Sequence, residues 1–258
     1  MNVPLDSIPS QGNFLAVNDI ELYYEVYGEG PPLLLVHGFT VSGQSWQPFV
    51  EDLSRHYRLI IPDMRGHGWS TNPTKQFLHR QVALDLFALL DHLRIDQCKA
   101  MGISSGGMSL LHLATQQPAR LEHMVLIGTA SHLPEQARVV YREQTPESDL
   151  WDWSFLRQVH QYGDEQIRAI LEQFHGFKDN YDDINFTRPY LSTISAKTLI
   201  IHGDHDFLFP ISIAVEMHQS IPNAYLWIVP DGQHVPIYEQ RSQSFVQIAL
   251  EFLGDEWG

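Results

Sequence analysis

The sequence predicts an α/β protein with a mostly parallel sheet and helices on both faces. Three observations lead there. After the breaker "GEGPP" the chain repeatedly produces short, nearly unbroken apolar runs: "LLLVH" at 33–37, "RLIIPD" at 58–63, "CKAMGIS" at 98–104, "EHMVLIG" at 122–128, "KTLIIHG" at 197–203 and "YLWIVP" at 225–230. Such runs suit strands buried on both faces, the usual state in parallel sheets. Helical spacing separates them, as in Leu78, Val82, Leu86, Leu89, Leu90 and Leu93. Strand–helix alternation then requires crossover connections, which pair strands in parallel.

The first element is different. In "NFLAVNDIELYYEVYG" the residues Ile20, Leu22, Tyr24 and Val26 alternate with Glu21, Tyr23 and Glu25, and Asn18-Asp19 supplies a turn. This predicts an antiparallel hairpin at one edge of the sheet. Trp46, Phe49, Val50 and Leu53 mark a helix after the first apolar run, and Phe245, Ile248, Phe252 and Leu253 mark one near the C-terminus. Between Thr129 and Ala196 no strand pattern occurs, but aromatic residues do: Tyr141, Trp151, Trp153, Phe155, Tyr162, Phe174 and Phe177. Asp164 reads as an N-cap there, Ile167, Ile170, Leu171 and Phe174 as one apolar face, and Gly176 as a stop. The expected organisation is a core domain from 1–130 and 191–258, with a helical lid insertion at 131–190 over the carboxyl edge of the sheet.

Composition narrows the partners. The 258 residues carry a formal charge of −15, which repels nucleic acid and anionic lipid and favours a neutral or weakly polar small-molecule substrate. Fourteen histidines make that charge pH-dependent. No stretch approaches the ~20 apolar residues of a membrane span, and "MNVPLDSIPSQGNF" has no basic segment followed by an apolar one. Cys98 is the single cysteine, at the start of a buried strand. No intrachain disulfide can form, so a cytoplasmic location is expected.

In open α/β sheets ligands bind beyond the carboxyl ends of the strands. The segments to read are therefore "HGFT", "DMRGHG", "SSGG", "GDHDF" and "DGQHV". A serine becomes a nucleophile when a base takes its proton and donors stabilise the oxyanion. A tight strand-to-helix turn presents such a serine, but its crowded backbone needs small residues two positions before and two after. Gly102 and Gly106 flank Ser104 in this way, whereas Ser105 has Ile103 behind it. Ser104 is the candidate nucleophile, and Ser105 a donor of a backbone N–H. Two acids compete in "HGDHDFLFP": Asp206, deeper in the loop, is favoured, while Asp204 suits backbone bonding. His234, after the last strand and a glycine turn, is the candidate base.

Together, "LLLVHGF", "IIPDMRGHGWS", "MGISSGGM", "TLIIHGDHDFLFP" and "PDGQHVPIYE" resemble the α/β-hydrolase fold superfamily over nearly the whole chain. The resemblance implies a mostly parallel eight-stranded sheet flanked by helices, with a helical cap insertion. It implies a triad in the order Ser104, Asp206, His234, and an oxyanion hole from the N–H groups of Phe39 and Ser105. It requires no cofactor and no metal. Three positions depart from the pattern: Ile103 and Ser105 stand where histidine or asparagine and methionine are common, and Gln233 replaces a glycine. His37 and Gly38 are expected to shape the turn presenting Phe39, and Arg65, His67 and Gly68 to hold neighbouring loops.

The expected activity is hydrolysis of a carboxylic ester through an acyl-enzyme, with a mostly apolar substrate lodged against Trp151, Trp153 and Phe207. Lactone opening or carbon–carbon cleavage by the same triad is the alternative. A serine at 104 argues against dehalogenase or epoxide-hydrolase chemistry, where relatives place an aspartate. His202, Asp204, His205 and Asp206 raise metal-dependent hydrolysis, but a strand-end His202 converges poorly with the others. A binding protein with a dead site is the third possibility. Oligomeric state is not readable.

Overall fold

The computed structural model describes residues 11–257; the opening segment read above for a leader lies mostly outside them. Among these residues eight strands form one sheet: β1 (Gln11–Val17), β2 (Ile20–Tyr27), β3 (Pro32–Val36), β4 (Arg58–Pro62), β5 (Cys98–Ile103), β6 (Leu121–Ile127), β7 (Lys197–Gly203) and β8 (Ala224–Val229). Their order is β1-β2-β4-β3-β5-β6-β7-β8. The β1–β2 hairpin is antiparallel and joins β4 antiparallel; every pair from β4 through β8 is parallel. Asn18 and Asp19 take φ of 40° and 70°, the left-handed pair of a tight hairpin turn.

Strand periodicity divides the core into two layers. On β3, Leu34 and Val36 face one layer and Leu33 and Leu35 the other; on β5, Ala100 faces the first and Met101 and Ile103 the second. The second layer is closed by α1 (Gln47–Leu53) and α9 (Ser242–Leu253), whose Phe49 and Phe245 rings meet edge to face at 4.9 Å. The first is closed by α2 (His79–His92), α3 (Ser105–Gln116) and α8 (Ile211–Ser220). Apolar side chains on both sides of each parallel strand are the reason these runs do not alternate. Cys98 is buried at the start of β5.

Between β6 and β7 the chain forms α4 (Glu135–Glu143), α5 (Trp153–Val159), α6 (Gly163–Gly176) and the short α7 (Arg188–Leu191), with a lone bridge between His132 and Asn185. One local reading is corrected. Asp164 lies inside the first turn of α6, where its carboxylate pairs with Arg157 at 2.8 Å; the cap position is Tyr162. Asp152 is the capping acid of this region, accepting from the Phe155 N–H at the start of α5. Gly176 does end α6.

Candidate active site

The turn after β5 is built by steric necessity. Ser104 has φ 49° and ψ −114°, and its N–H donates to the Ile127 carbonyl at 2.8 Å, anchoring it to the neighbouring strand. A Cβ on Gly102 would lie 2.5 Å from the Gly107 nitrogen, and one on Gly106 would lie 2.3 Å from the Val36 carbonyl oxygen. Both contacts are with backbone, so only glycine lets α3 start this close to β3 and β5. Non-glycine residues reach such a φ at a cost of about 1–3 kcal/mol, a strain typical of positions where a side chain must be presented.

Two further loops converge on that serine. The turns after β7 and β8 are stitched together: the Gly232 N–H donates to Asp204 Oδ1 at 3.0 Å, and the His205 N–H to the Gly232 carbonyl at 2.9 Å. Gly203 allows this, since a Cβ there would be 2.2 Å from the Gln233 carbonyl. The Gln233 side chain points to solvent, so a non-glycine residue at that departure from the family pattern costs nothing. The result is a line of polar atoms, with His234 Nε2 2.9 Å from Ser104 Oγ and His234 Nδ1 2.8 Å from Asp206 Oδ2.

Asp206 is the carboxylate that meets the imidazole, and its other oxygen accepts from the N–H groups of Leu208 and Phe209 at 2.8 and 3.0 Å. Burial pushes its pKa up, but the His234 hydrogen bond and charge and the two peptide donors outweigh it, leaving the carboxyl below its usual range. A carboxylate on Nδ1 places the imidazole proton there and leaves Nε2 as the base facing Ser104. Asp204, bonded to the loop backbone, takes no part in this line.

The Gly38-Phe39 segment completes the wall. A Cβ on Gly38 would lie 3.7 Å from Ser104 Cβ, so its backbone borders the serine directly. The His37 imidazole fixes this turn from within: Nδ1 donates to the Gly38 carbonyl at 2.6 Å and Nε2 accepts from the Met64 N–H at 2.9 Å. Full burial lowers its pKa to about 3, which keeps the ring neutral and able to do both. Ser105 opens α3, so its N–H belongs to the first turn, where helix donors lack intrahelical partners and the helix dipole favours negative charge. Phe39 and Ser105 both line the cavity beside Ser104.

Above the serine lies a cavity of about 330 Å3. Its floor is Gly38, Ser104 and His234; its roof is aromatic, with Tyr141 from α4, Trp151 before α5, and Phe174 and Phe177 at the end of α6. Trp151 meets Phe174 edge to face at 5.3 Å, and Phe207 lines one side. Of the predicted pocket residues, Trp151 and Phe207 line this space and Trp153 does not. Trp153 opens α5 and stacks its indole against the guanidinium groups of Arg157 and Arg168, at 5.5 and 5.3 Å. Trp151 precedes the helix, and the non-helical Asp152 cap between them, at φ −77° and ψ 89°, turns the two indoles apart. Gln144, Ser45 and Tyr238 also line the cavity, which no sequence pattern marked. A second cavity of about 240 Å3, between the Gly66–Lys75 loop and α6, touches none of Ser104, Asp206 or His234.

The metal reading fails on geometry. His202 Nε2 donates to the Phe209 carbonyl, and Asp204 and Asp206 point to different partners. Among the described residues the one group with converging ligand atoms is Glu122, His123 and Asp255, on the far end of the strands from the serine. Arg65 and His67 hold loops as expected: Arg65 makes a paired contact with Asp85 at 2.7 and 2.9 Å, and His67 packs edge-on against Phe39. Trp69 is half-exposed, its ring beside Tyr23.

Comparison with known proteins agrees with this architecture. The family model described as "alpha/beta hydrolase fold" matches residues 31–148 and 141–240. The chain is similar to the pimeloyl-[acyl-carrier protein] methyl ester esterase of Nitrosospira multiformis, with 28% identity over 85% of this chain and 94% of the relative. It is also similar to 3-oxoadipate enol-lactonase 2 of Acinetobacter baylyi, with 34% identity over 88% and 91%. The crystal structure of a hydrolase from Pseudomonas aeruginosa PA01 superposes with a TM-score of 0.77 at 26% identity, covering 94% of this chain and 98% of that one. The strand order, the turn around Ser104 and these matches place the chain in the α/β-hydrolase fold family. It is a hydrolase of that family, and no helix among the described residues is long and apolar enough to cross a membrane.

Proposed function

We propose that this protein is a serine hydrolase that cleaves a neutral carboxylic ester with a mostly apolar acyl or alcohol group. The observation that carries the reading is the unbroken line from Ser104 Oγ through His234 to Asp206 at the floor of an aromatic cavity. In this scheme Ser104 Oγ bonds to the ester carbonyl carbon while His234 Nε2 takes its proton. The negative carbonyl oxygen is held by the N–H groups of Phe39 and Ser105, each worth roughly 3–4 kcal/mol in comparable sites. The tetrahedral species collapses, the C–O bond to the alcohol breaks, and His234 returns the proton to the leaving oxygen. Water, deprotonated by the same imidazole, then attacks the acyl carbon and frees Ser104. Asp206 holds the tautomer and stabilises the imidazolium.

The roof supports the substrate class. Segment 131–190 acts in this reading as a lid domain on a core of 1–130 and 191–258, its rings excluding water from the acyl-enzyme. Among the described residues lining the cavity none is lysine or arginine. An anionic substrate such as an oxoadipate lactone would lack an ion partner there and would lie near the negative Asp206–His234 pair. That disfavours anionic lactones and anionic carbon–carbon substrates relative to a neutral ester.

A rate panel of aryl esters of graded acyl length, with an enol-lactone and a vinylogous diketone beside it, tests this. Esters are expected to turn over, and Ser104→Ala to lower kcat by on the order of 10³-fold or more while preserving ligand affinity. Inactivity on every ester, or a Ser104→Ala variant as fast as the parent, overturns the reading.

A further inference from the structure

Beneath Ser104 the structure holds a second serine–imidazole–carboxylate chain. His79 Nε2 lies 3.1 Å from Ser105 Oγ, and His79 Nδ1 lies 2.7 Å from Asp183 Oδ2. The three side chains come from the first turn of α3, the first turn of α2, and the strand-free segment after α6. All are buried, with Ser105 4% and His79 1% exposed. The imidazole sits between the rings of Phe77 and Phe177, at 5.2 and 5.4 Å, and Phe177 also roofs the cavity.

The carboxylate end of this chain is anchored to the backbone. Asp183 accepts from the His79 N–H at 2.7 Å and the Arg80 N–H at 3.2 Å, so it caps α2 from outside that helix. Burial raises its pKa, but the His79 side chain and the peptide donors outweigh this and bring the carboxyl down to about 2. A negative charge against Nδ1 keeps a proton on that nitrogen and orients the ring so that Nε2 faces Ser105 Oγ. The Ser105 Oγ–His79 Nε2 hydrogen bond ties the hydroxyl to this buried chain. With Oγ committed to that bond, the rotamer of the first residue of α3 is fixed, and with it the peptide whose N–H borders Ser104.

We propose that Ser105 Oγ, His79 and Asp183 form a positioning relay that holds the Ser105 N–H on the oxyanion formed during Ser104 chemistry. His79 and Asp183 touch neither substrate nor reacting atoms; they act through the Ser105 peptide. The relay also explains the departure from methionine after the nucleophile: a hydroxyl at 105 meets a buried imidazole that an apolar side chain would leave without its partner. This inference rests on the reading of Ser104 as the nucleophile.

The test uses the full chain with Ser105→Ala, His79→Gln and the double variant. Active sites are counted with an aryl phosphonate located on Ser104 by mass spectrometry, and kcat and KM for an aryl ester are expressed per labelled site. Each single variant is expected to lower kcat about 10–100-fold with KM within about twofold, as a displaced oxyanion donor does. The double variant should be no slower than the worse single one, because the residues act as a unit. Affinity for a trifluoromethyl ketone, whose adduct carries the oxyanion, should fall with kcat while product affinity holds. An unchanged kcat per labelled site in Ser105→Ala, multiplicative losses, or ketone affinity that does not follow kcat overturns the relay. Should His79→Gln not fold, Ser105→Ala alone decides. Absence of phosphonate on Ser104 in the parent overturns the nucleophile assignment itself, a distinct outcome.

Discussion

The imidazole of His234 stands between two residues that enter the site from opposite directions, 2.9 Å from Ser104 on β5's turn and 2.8 Å from Asp206 on β7's loop. Replacing the carboxylate by an amide keeps its size but offers an N–H where the imidazole also needs to donate. Asp206→Asn is therefore expected to reverse the His234 tautomer, so that Nε2 carries a proton toward Ser104. Loss in kcat should be on the order of 10³–10⁴-fold with KM little changed, and activity should partly return at alkaline pH. Steady-state kinetics between pH 6 and 10 check this; a variant within tenfold of the parent across the range removes Asp206 from the mechanism.

The crowding around the elbow predicts opposite outcomes for two glycines. In Gly106→Ala the new methyl meets the Val36 and His37 carbonyl oxygens at 2.3 and 2.5 Å, so α3 must move away from β3. Activity per folded molecule should fall at least about 100-fold, the usual cost of a displacement near 1 Å. Gly176 has φ −64° and nothing within 4 Å of the added methyl. Gly176→Ala is expected to stabilise the fold by about 0.5 kcal/mol with activity intact, since alanine loses less chain entropy in a helix. Urea unfolding and ester assays on the pair read both.

How much of this was legible beforehand depends on how local each signal is. The elbow was readable because the backbone crowding selects glycine at fixed offsets from one serine, and the strands because burial on both faces leaves continuous apolar runs. Asp206 over Asp204 followed from loop length alone. Trp153 misled because an aromatic list carries no direction: Trp151 lies before the helix and Trp153 opens it, with the non-helical Asp152 cap between them. Asp164 misled because any acid before an apolar face resembles a cap, while the chain in fact enters α6 at Gly163 with φ 75°. His79 and Asp183 had no sequence signature at all. They are 104 positions apart, and only packing of α2 against the end of the helical segment brings them together.

Cavity shape should follow Trp151. Its indole N–H donates to the Thr145 carbonyl at 2.8 Å and its ring abuts Phe174, closing the roof. Trp151→Ala opens that side toward solvent. The ratio of kcat/KM for a long-chain acyl ester to that for a short one is expected to rise about tenfold, in line with the worth of a methylene or two in an apolar pocket. A chain-length series on the variant measures it, and an unchanged ratio would place the acyl group elsewhere.

Acid sensitivity should trace to buried neutral imidazoles around the Gly38 turn. His160 sits at the end of α5, where Nδ1 accepts from the Gly68 N–H and Nε2 donates to the Thr40 carbonyl, each at 3.1 Å. Burial lowers its pKa from 6.5 to about 4, and that of the neighbouring His37 to about 3. The unfolded chain binds these protons near pH 6.5 and the folded one does not. Stability from each ring is thus complete above pH 6.5 and is withdrawn as pH falls toward the folded value, at about 1.4 kcal/mol per unit. His160→Gln keeps an acceptor and a donor but removes one titrating group. Its stability deficit relative to the parent at pH 7 should shrink by roughly 2 kcal/mol on going to pH 5, on the same linkage slope. Urea midpoints at pH 7, 6 and 5 give the comparison. Parallel pH profiles for the two proteins would mean that His160 takes up its proton alike in the folded and unfolded chains.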